Sequence, residues 1–213
     1  MRMRRKKHRE DRFNNCIELV IENIGEYKNL KDIFGNDNPV HLEIGCGKGK
    51  FIRELATLNP EINYIAVEKC VDVIIMAMEK VKEAGLTNVK FVSGDADILR
   101  EFDFDGQVER IYVNFCDPWK KSNQAKRRLT HKNYLSLYEK LLKKEGELFF
   151  KTDNRKLFEF SLNSFAEYNL KMRNITLDLH NSGYEGNIMT EYEENFSSKG
   201  FPIYRCECVF NLN

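Results

Sequence analysis

One short stretch constrains the fold more than any other: His41-Leu42-Glu43-Ile44-Gly45-Cys46-Gly47-Lys48-Gly49-Lys50-Phe51-Ile52. It begins in an apolar run, Val40–Ile44, passes through glycines at 45, 47 and 49, and ends in a helical pattern, Phe51-Ile52-x-x-Leu55-Ala56-x-Leu58. A strand that turns sharply into a helix through glycines brings backbone N–H groups close to a ligand. A dinucleotide site spaces its glycines G-x-G-x-x-G. Here the third glycine comes one residue early, and Glu43 sets a carboxylate beside the turn. That suits a nucleoside bearing cations. S-adenosylmethionine, with its ammonium and sulfonium, is the candidate, and a tight turn without a ligand is the alternative.

The rest of the chain extends the pattern. Strand-like runs are expected at Val40–Ile44, Tyr64–Val67, Val89–Val92, Arg110–Phe115, Glu147–Lys151, Met172–Leu179 and Ile203–Phe210. Helical spacing falls between most of them, at Phe51–Leu58, Val71–Ala84, Lys132–Leu142 and Asn154–Glu167. Alternation of this kind predicts an α/β fold, a doubly wound and mostly parallel sheet with helices on both faces. Residues 1–30 read as a basic arm followed by a helix with Ile17, Val20, Ile21 and Ile24 on one face. Residues 180–200, rich in Gly, Asn, Ser and Glu, read as a long loop of the kind that often carries function. No linker or internal repeat divides the 213 residues, so a single domain over 1–213 is expected.

Composition excludes several classes. No run of apolar residues is long enough for a membrane span, and the basic start lacks a secretory signal's apolar stretch. Cys16, Cys46, Cys70, Cys116, Cys206 and Cys208 form no C-x-x-C pair, so neither a disulfide framework nor a metal site is expected. Reduced thiols in a cytoplasmic protein are the simplest reading. The net charge of +1 conceals segregation. No acid lies between Asp117 and Glu139, a stretch holding Lys120, Lys121, Lys126, Arg127, Arg128 and Lys132. Local basic patches on a near-neutral chain point to a polyanion contact. For the basic N-terminus, a solvated arm is nearly as good a reading.

In an open α/β sheet, ligands bind at the carboxyl ends of the strands. Acids stand at four successive strand ends: Glu68, Asp95, Asp117 and Asp153. A single such acid is commonly a helix cap; four beside a glycine loop are poorly explained that way. Glu68, about twenty residues past the loop, suits the two ribose hydroxyls, with a salt bridge to a lysine as its alternative. Asp95 suits an adenine amino group or a helix cap equally. Asp117-Pro118-Trp119 is similar to the acid-Pro-Pro-aromatic motif of amino-group methyltransferases, with one proline missing. A ring nitrogen such as guanine N7 has a free lone pair and needs no base, so positioning would dominate. A carboxylate could stabilise the charge developing on the purine. Alone, Thr190-Glu191-Tyr192-Glu193 reads as a loop with no assigned function; given a guanine target, one carboxylate could accept both donors of its Watson–Crick edge while Tyr192 offers packing or a stacking face.

Five segments in this order resemble the bacterial tRNA (guanine-N7-)-methyltransferase family over nearly the whole chain. They are Glu43–Gly49, Asn114–Trp119, Lys126–Thr130, Phe150–Asn154 and Gly186–Glu193. The resemblance implies a class I S-adenosylmethionine-dependent methyltransferase fold, Rossmann-like, with seven strands and the last antiparallel. It implies methyl transfer from S-adenosyl-L-methionine to N7 of guanosine 46 in the tRNA variable loop. By position, Glu43, Gly45, Gly47, Gly49, Glu68, Asp95 and Asp117 would line the cofactor pocket, with Asp117 also catalytic. Lys121, Asp153, Thr190, Glu191, Tyr192 and Glu193 would contact the substrate, and Asn123, Gln124, Ala125, Lys126, Arg127 and Arg128 would touch RNA. It also implies tRNA as partner, no obligatory protein subunit, and a monomer or homodimer.

The chain departs from the family at one loop. The usual Asp-Pro-Trp-Pro-Lys-Lys-Arg-His is here Asp117-Pro118-Trp119-Lys120-Lys121-Ser122-Asn123-Gln124. Loss of the second proline should loosen the loop, and fewer cations should flatten its salt dependence. The N-terminus also lacks the family's usual Lys-Pro-Trp. A methyltransferase for another acceptor, a non-catalytic RNA-binding module and, remotely, a nicotinamide enzyme are the competing readings. The basic stretch, the intact loop with its acids, and the glycine spacing weigh against them respectively.

Overall fold

A computed structural model of the chain describes residues 8–210. The chain divides between Asp103 and Phe104 into two compact units.

The first unit contains α1 (Arg9–Asn14), α2 (Leu30–Phe34), β1 (Val40–Ile44), α3 (Lys50–Leu58), β2 (Asn63–Glu68), α4 (Val71–Glu83) and β3 (Val89–Ser93). Its strands are parallel in the order β3-β2-β1, with Leu42 opposite Ile65 and Ile65 opposite Lys90. Every residue of β1 is buried, the near-continuous burial expected of a parallel strand covered on both faces. Phe51, Ile52, Leu55 and Ala56 form the buried stripe of α3, at the spacing the sequence shows.

The run from Ile17 to Ile24 departs from the expected helix. It forms two short 3-10 turns, Ile17–Leu19 and Ile24–Glu26, separated by Val20 in extended conformation and a bend at 22–23. Val20 makes a parallel bridge to Phe91, and Ile21 N–H donates to the Phe91 carbonyl at 2.8 Å. β-branched residues beside the open edge of β3 gain more by satisfying that edge than by closing a helical turn. Arg12 of the basic arm pairs bidentately with Glu79 through Nε and Nη2, at 2.7 and 2.6 Å, which ties α1 to α4. The arm's first seven residues lie outside the described residues.

The second unit contains β4 (Val108–Asn114), α5 (Lys132–Leu141), β5 (Leu142–Thr152), α6 (Arg155–Glu167), β6 (Lys171–Thr176), α7 (Glu191–Ser197) and β7 (Tyr204–Val209). β4 and β5 are parallel, while β7 runs antiparallel between β5 and β6. One face of this sheet packs aromatic rings: Phe150 against Phe158 at 6.2 Å and Phe158 against Tyr204 at 5.3 Å. Two expectations are corrected here. The sixth strand stops at Thr176, after an irregularity between Arg173 and Thr176, instead of reaching Leu179. Residues 180–200 are not all loop, because Thr190 caps α7 by accepting Glu193 N–H at 2.9 Å. The Thr-x-x-Glu capping signature was present in the sequence.

Candidate active site

In the first unit the glycine loop is shaped by backbone alone. Gly45, Gly47 and Gly49 all have positive φ, at 81°, 56° and 80°. A side chain added at Gly45 or Gly47 would meet nothing within 4 Å, so open space lies over both. At Gly49 an added Cβ would lie 2.6 Å from the Ala77 Cβ. The third glycine therefore lets α3 pack closely on α4, and its N–H is taken by the Cys46 carbonyl at 3.1 Å. Glu68, at the end of β2, holds the loop: its carboxylate accepts Gly47 N–H at 3.1 Å and Cys70 N–H at 2.9 Å. A carboxylate has about four acceptor sites, so capacity for hydroxyl donors remains. Glu43, in β1 two residues before the first glycine, is 1% exposed. Asp95 is exposed and precedes the 3-10 turn Ala96–Glu101, and its side chain makes no capping bond to it.

In the second unit, Asp117 lies on an exposed turn between two strained residues. Phe115 and Trp119 are non-glycine residues at φ 53° and 41°. Such backbone costs on the order of 1–3 kcal/mol per residue and persists only where its surroundings enforce it. Arg128 does part of that, donating from Nε to the Pro118 carbonyl and from Nη2 to the Trp119 carbonyl, each at 3.0 Å. Its guanidinium lies 4.3 Å from the Phe160 ring centroid. Arg127 is exposed and sits over the Trp119 ring at 4.1 Å. Burial, and then the Asp117 charge, push the Cys116 thiol up to about 12, so it is neutral and no nucleophile.

At the end of β5, Lys151 is buried and donates to the Glu193 carboxylate at 2.7 Å, the Ile188 carbonyl at 2.9 Å and Asn187 Oδ1 at 3.1 Å. The other Glu193 oxygen accepts from Asn187 Nδ2 at 2.7 Å and lies 3.2 Å from His180 Nε2. Glu193 is 0% exposed. Two residues beyond Lys151, Asp153 accepts the Tyr192 hydroxyl at 3.1 Å. Asn154, not Asp153, caps α6 by accepting Leu157 N–H at 2.9 Å, which leaves the Asp153 carboxylate to the turn. Burial, the Asp153 charge and that hydrogen bond push the Tyr192 phenol up to about 12, so it remains a neutral donor. The segment 187–193 is thus docked on the carboxyl end of β5 through an ion pair and a phenol.

Comparison with known proteins gives this geometry its family. A family model described as "Putative methyltransferase" matches residues 37–206. The chain is 50% identical over 214 residues, covering 100% of both chains, to the tRNA (guanine-N(7)-)-methyltransferase of Listeria monocytogenes serotype 4b (strain F2365). It is 51% identical over 211 residues to the protein of that name from Bacillus cytotoxicus, covering 99% of this chain and 97% of the relative. The chain belongs to the tRNA (guanine-N(7)-)-methyltransferase family. Solved structures agree on the fold: an antibiotic-related methyltransferase superposes with a TM-score of 0.63 at 20% identity, covering 90% of this chain and 100% of its own. The 16S rRNA methyltransferase KamB gives 0.62 at 14% identity, covering 85% and 92%. The fold is that of class I methyltransferases, Rossmann-like, as expected.

Within this tRNA (guanine-N(7)-)-methyltransferase family chain, the expected residues sort by what they face. Gly45, Gly47, Glu68 and Asp95 border open or exposed parts of the first unit, whereas Gly49 is buried in helix packing. Asp117, Lys121, Asn123, Lys126 and Arg127 are exposed, and Gln124 and Ala125 half-buried, in the second. Three of them also hold contacts within the chain: Glu193 accepts from Lys151, Thr190 caps α7, and Arg128 braces the Pro118–Trp119 turn. Lys151, Asn187 and His180 were missed as site residues. One signal existed for Lys151: a lysine following Leu148-Phe149-Phe150 in a strand needs a buried acceptor.

Proposed function

We propose that the chain transfers a methyl group from S-adenosyl-L-methionine to N7 of guanosine 46 in the variable loop of tRNA. The observation that carries this is the 50% identity along the full length of proteins bearing that enzyme name.

The first unit suits the methyl donor. Open space over Gly45 and Gly47 gives a ligand access to the loop backbone. Glu43, Glu68 and Asp95 supply carboxylates matched to an ammonium, ribose hydroxyls and an adenine amine. When bound, S-adenosylmethionine supplies a methyl group activated on a sulfonium. The remaining work belongs to the chain. Guanine N7 attacks with its own lone pair: the N–CH3 bond forms, the S–CH3 bond breaks, and the bond's electrons stay on sulfur. No proton is removed, so the chain must orient the purine and offset its new positive charge. Asp117, an exposed carboxylate held on a strained turn, takes that role. Asp153, Lys121, Glu191 and the exposed Tyr192 contact the substrate, with Thr190 and Glu193 fixing the segment that carries the last two. Residues 123–128 contact RNA, Arg127 directly and Arg128 through the turn it braces.

The same reading makes residues 1–213 one methyltransferase domain in the cytoplasm, acting as a monomer or homodimer without an obligatory protein subunit. Among the described residues, no helix is long and apolar enough to cross a membrane. The test is label transfer from S-adenosylmethionine to unmodified tRNA, followed by nucleoside analysis. Label in 7-methylguanosine, lost when guanosine 46 is replaced, is the expected result. Transfer to any other nucleoside would refute it. Asp117→Ala should lower kcat roughly 100- to 1,000-fold with the fold intact; near wild-type turnover would remove Asp117 from the reaction.

A further inference from the structure

The second unit carries a ladder of aromatic rings whose inner member, Tyr192, the methyl-transfer reading uses and whose outer members, Phe196 and Phe201, it does not. Tyr192 and Phe196, one helical turn apart on α7, stack at 4.2 Å between centroids with planes 16° apart. Phe115, two residues before Asp117, continues the ladder inward at 5.0 Å from Tyr192. Phe201 continues it outward at 5.7 Å from Phe196. Rings assembled only to fill a core would be buried. Here Tyr192 is 43% exposed and Phe201 is 52% exposed. Two open rings in one ladder leave a substantial π surface in water.

We infer that the outer rungs, Phe196 and Phe201, form a stacking subsite for an unpaired nucleobase adjacent to the target guanosine. The inference rests on tRNA being the substrate. Continuity with the site supports it, because the inner rungs are Phe115 next to Asp117 and Tyr192 bonded to Asp153. The rings decide which part of the RNA docks: an exposed aromatic face such as Phe201 offers a phosphate no donor. A base offers a neutral π face, which aromatic rings accept. Lys199, whose ammonium lies 5.4 Å from the Phe196 ring centroid, supplies a cation near the outer rungs. The occupant is therefore a base from a single-stranded loop, with no sequence readout required of the rings.

The test uses the full chain and tRNA carrying 2-aminopurine at either position flanking the target. Binding should quench the fluorophore at one of them. Phe201→Ala should abolish that quenching and raise the Kd for tRNA roughly tenfold. Phe201→Trp should retain both. The S-adenosylmethionine Kd should not change. Quenching at neither position, or equal quenching with Phe201→Ala, would overturn the subsite. Methyl transfer by the wild-type chain is scored separately, so failure of the parent activity is distinguishable from failure of the subsite.

Discussion

The two units solve the problem of holding a ligand by different means. The first builds its loop from backbone: positive-φ glycines, a strand end, and one carboxylate that bonds two backbone N–H groups. The second builds its turns from side-chain contacts. Lys151 reaches Glu193 across 42 residues, Asp153 reaches Tyr192 across 39, and Arg128 braces a turn ten residues back. A backbone-built site tolerates exchange of its side chains but not of its glycines. A side-chain-built site fails when one partner is lost, because the other is left buried and unmatched.

That contrast can be broken in several places. Lys151→Met should have the largest effect on stability, about 3–5 kcal/mol, since it strands the buried Glu193 carboxylate. Pairing it with Glu193→Leu should recover much of the loss, as urea unfolding would show; no recovery would mean the ion pair is not what the turn depends on. Gly49→Ala comes next, at about 3 kcal/mol, from the collision with Ala77 together with the positive φ. If thermal unfolding of that variant matched wild type, the close approach of α3 to α4 would be wrong.

Smaller effects separate the two arginines. Arg127→Ala should weaken tRNA binding and reduce the salt slope of log K by about 1. Arg128→Ala should instead loosen the Pro118–Trp119 turn and lower kcat, with little change in slope. Equal slopes for both variants would erase the distinction. The smallest effect is at His131, whose Nδ1 caps α5 by accepting Asn133 N–H at 3.2 Å. Burial first, then Lys132, Lys126 and Arg128, hold its pKa below the ordinary imidazole value. A depressed histidine caps only while neutral, so the cap contributes fully above the unfolded pKa and is lost as pH falls through the folded one. His131→Ala should cost about 1 kcal/mol near pH 7.5 and nothing at low pH. A pH-independent difference would show that the cap is not the cause.

The same contrast explains what the sequence revealed. β1 was legible to the residue, and α3 and α4 to within one, because burial on parallel strands and helical periodicity are local signals. The glycine loop was legible for the same reason, although only the structure separates Gly49, packed on Ala77, from Gly45 and Gly47. The Ile17–Ile24 run misled because its apolar spacing suits a helix, yet its partner is the Phe91 edge about 70 residues away. The burial of Glu193 was not legible, because an acid in a polar stretch gives no sign that a lysine 42 residues earlier will pair with it. The bracing role of Arg128 was not legible for a like reason, because its carbonyl partners carry no signature in the sequence, whereas the Thr190 cap was legible in Thr-x-x-Glu.

The central claim is that N7 of guanosine 46 is the atom that attacks. It is tested most directly with two tRNA transcripts differing at that atom alone, one with guanosine at 46 and one with 7-deazaguanosine, whose N7 is a C–H. Labelled S-adenosylmethionine should mark the first and leave the second unlabelled, with both binding equally. Label on the 7-deaza transcript would contradict the account.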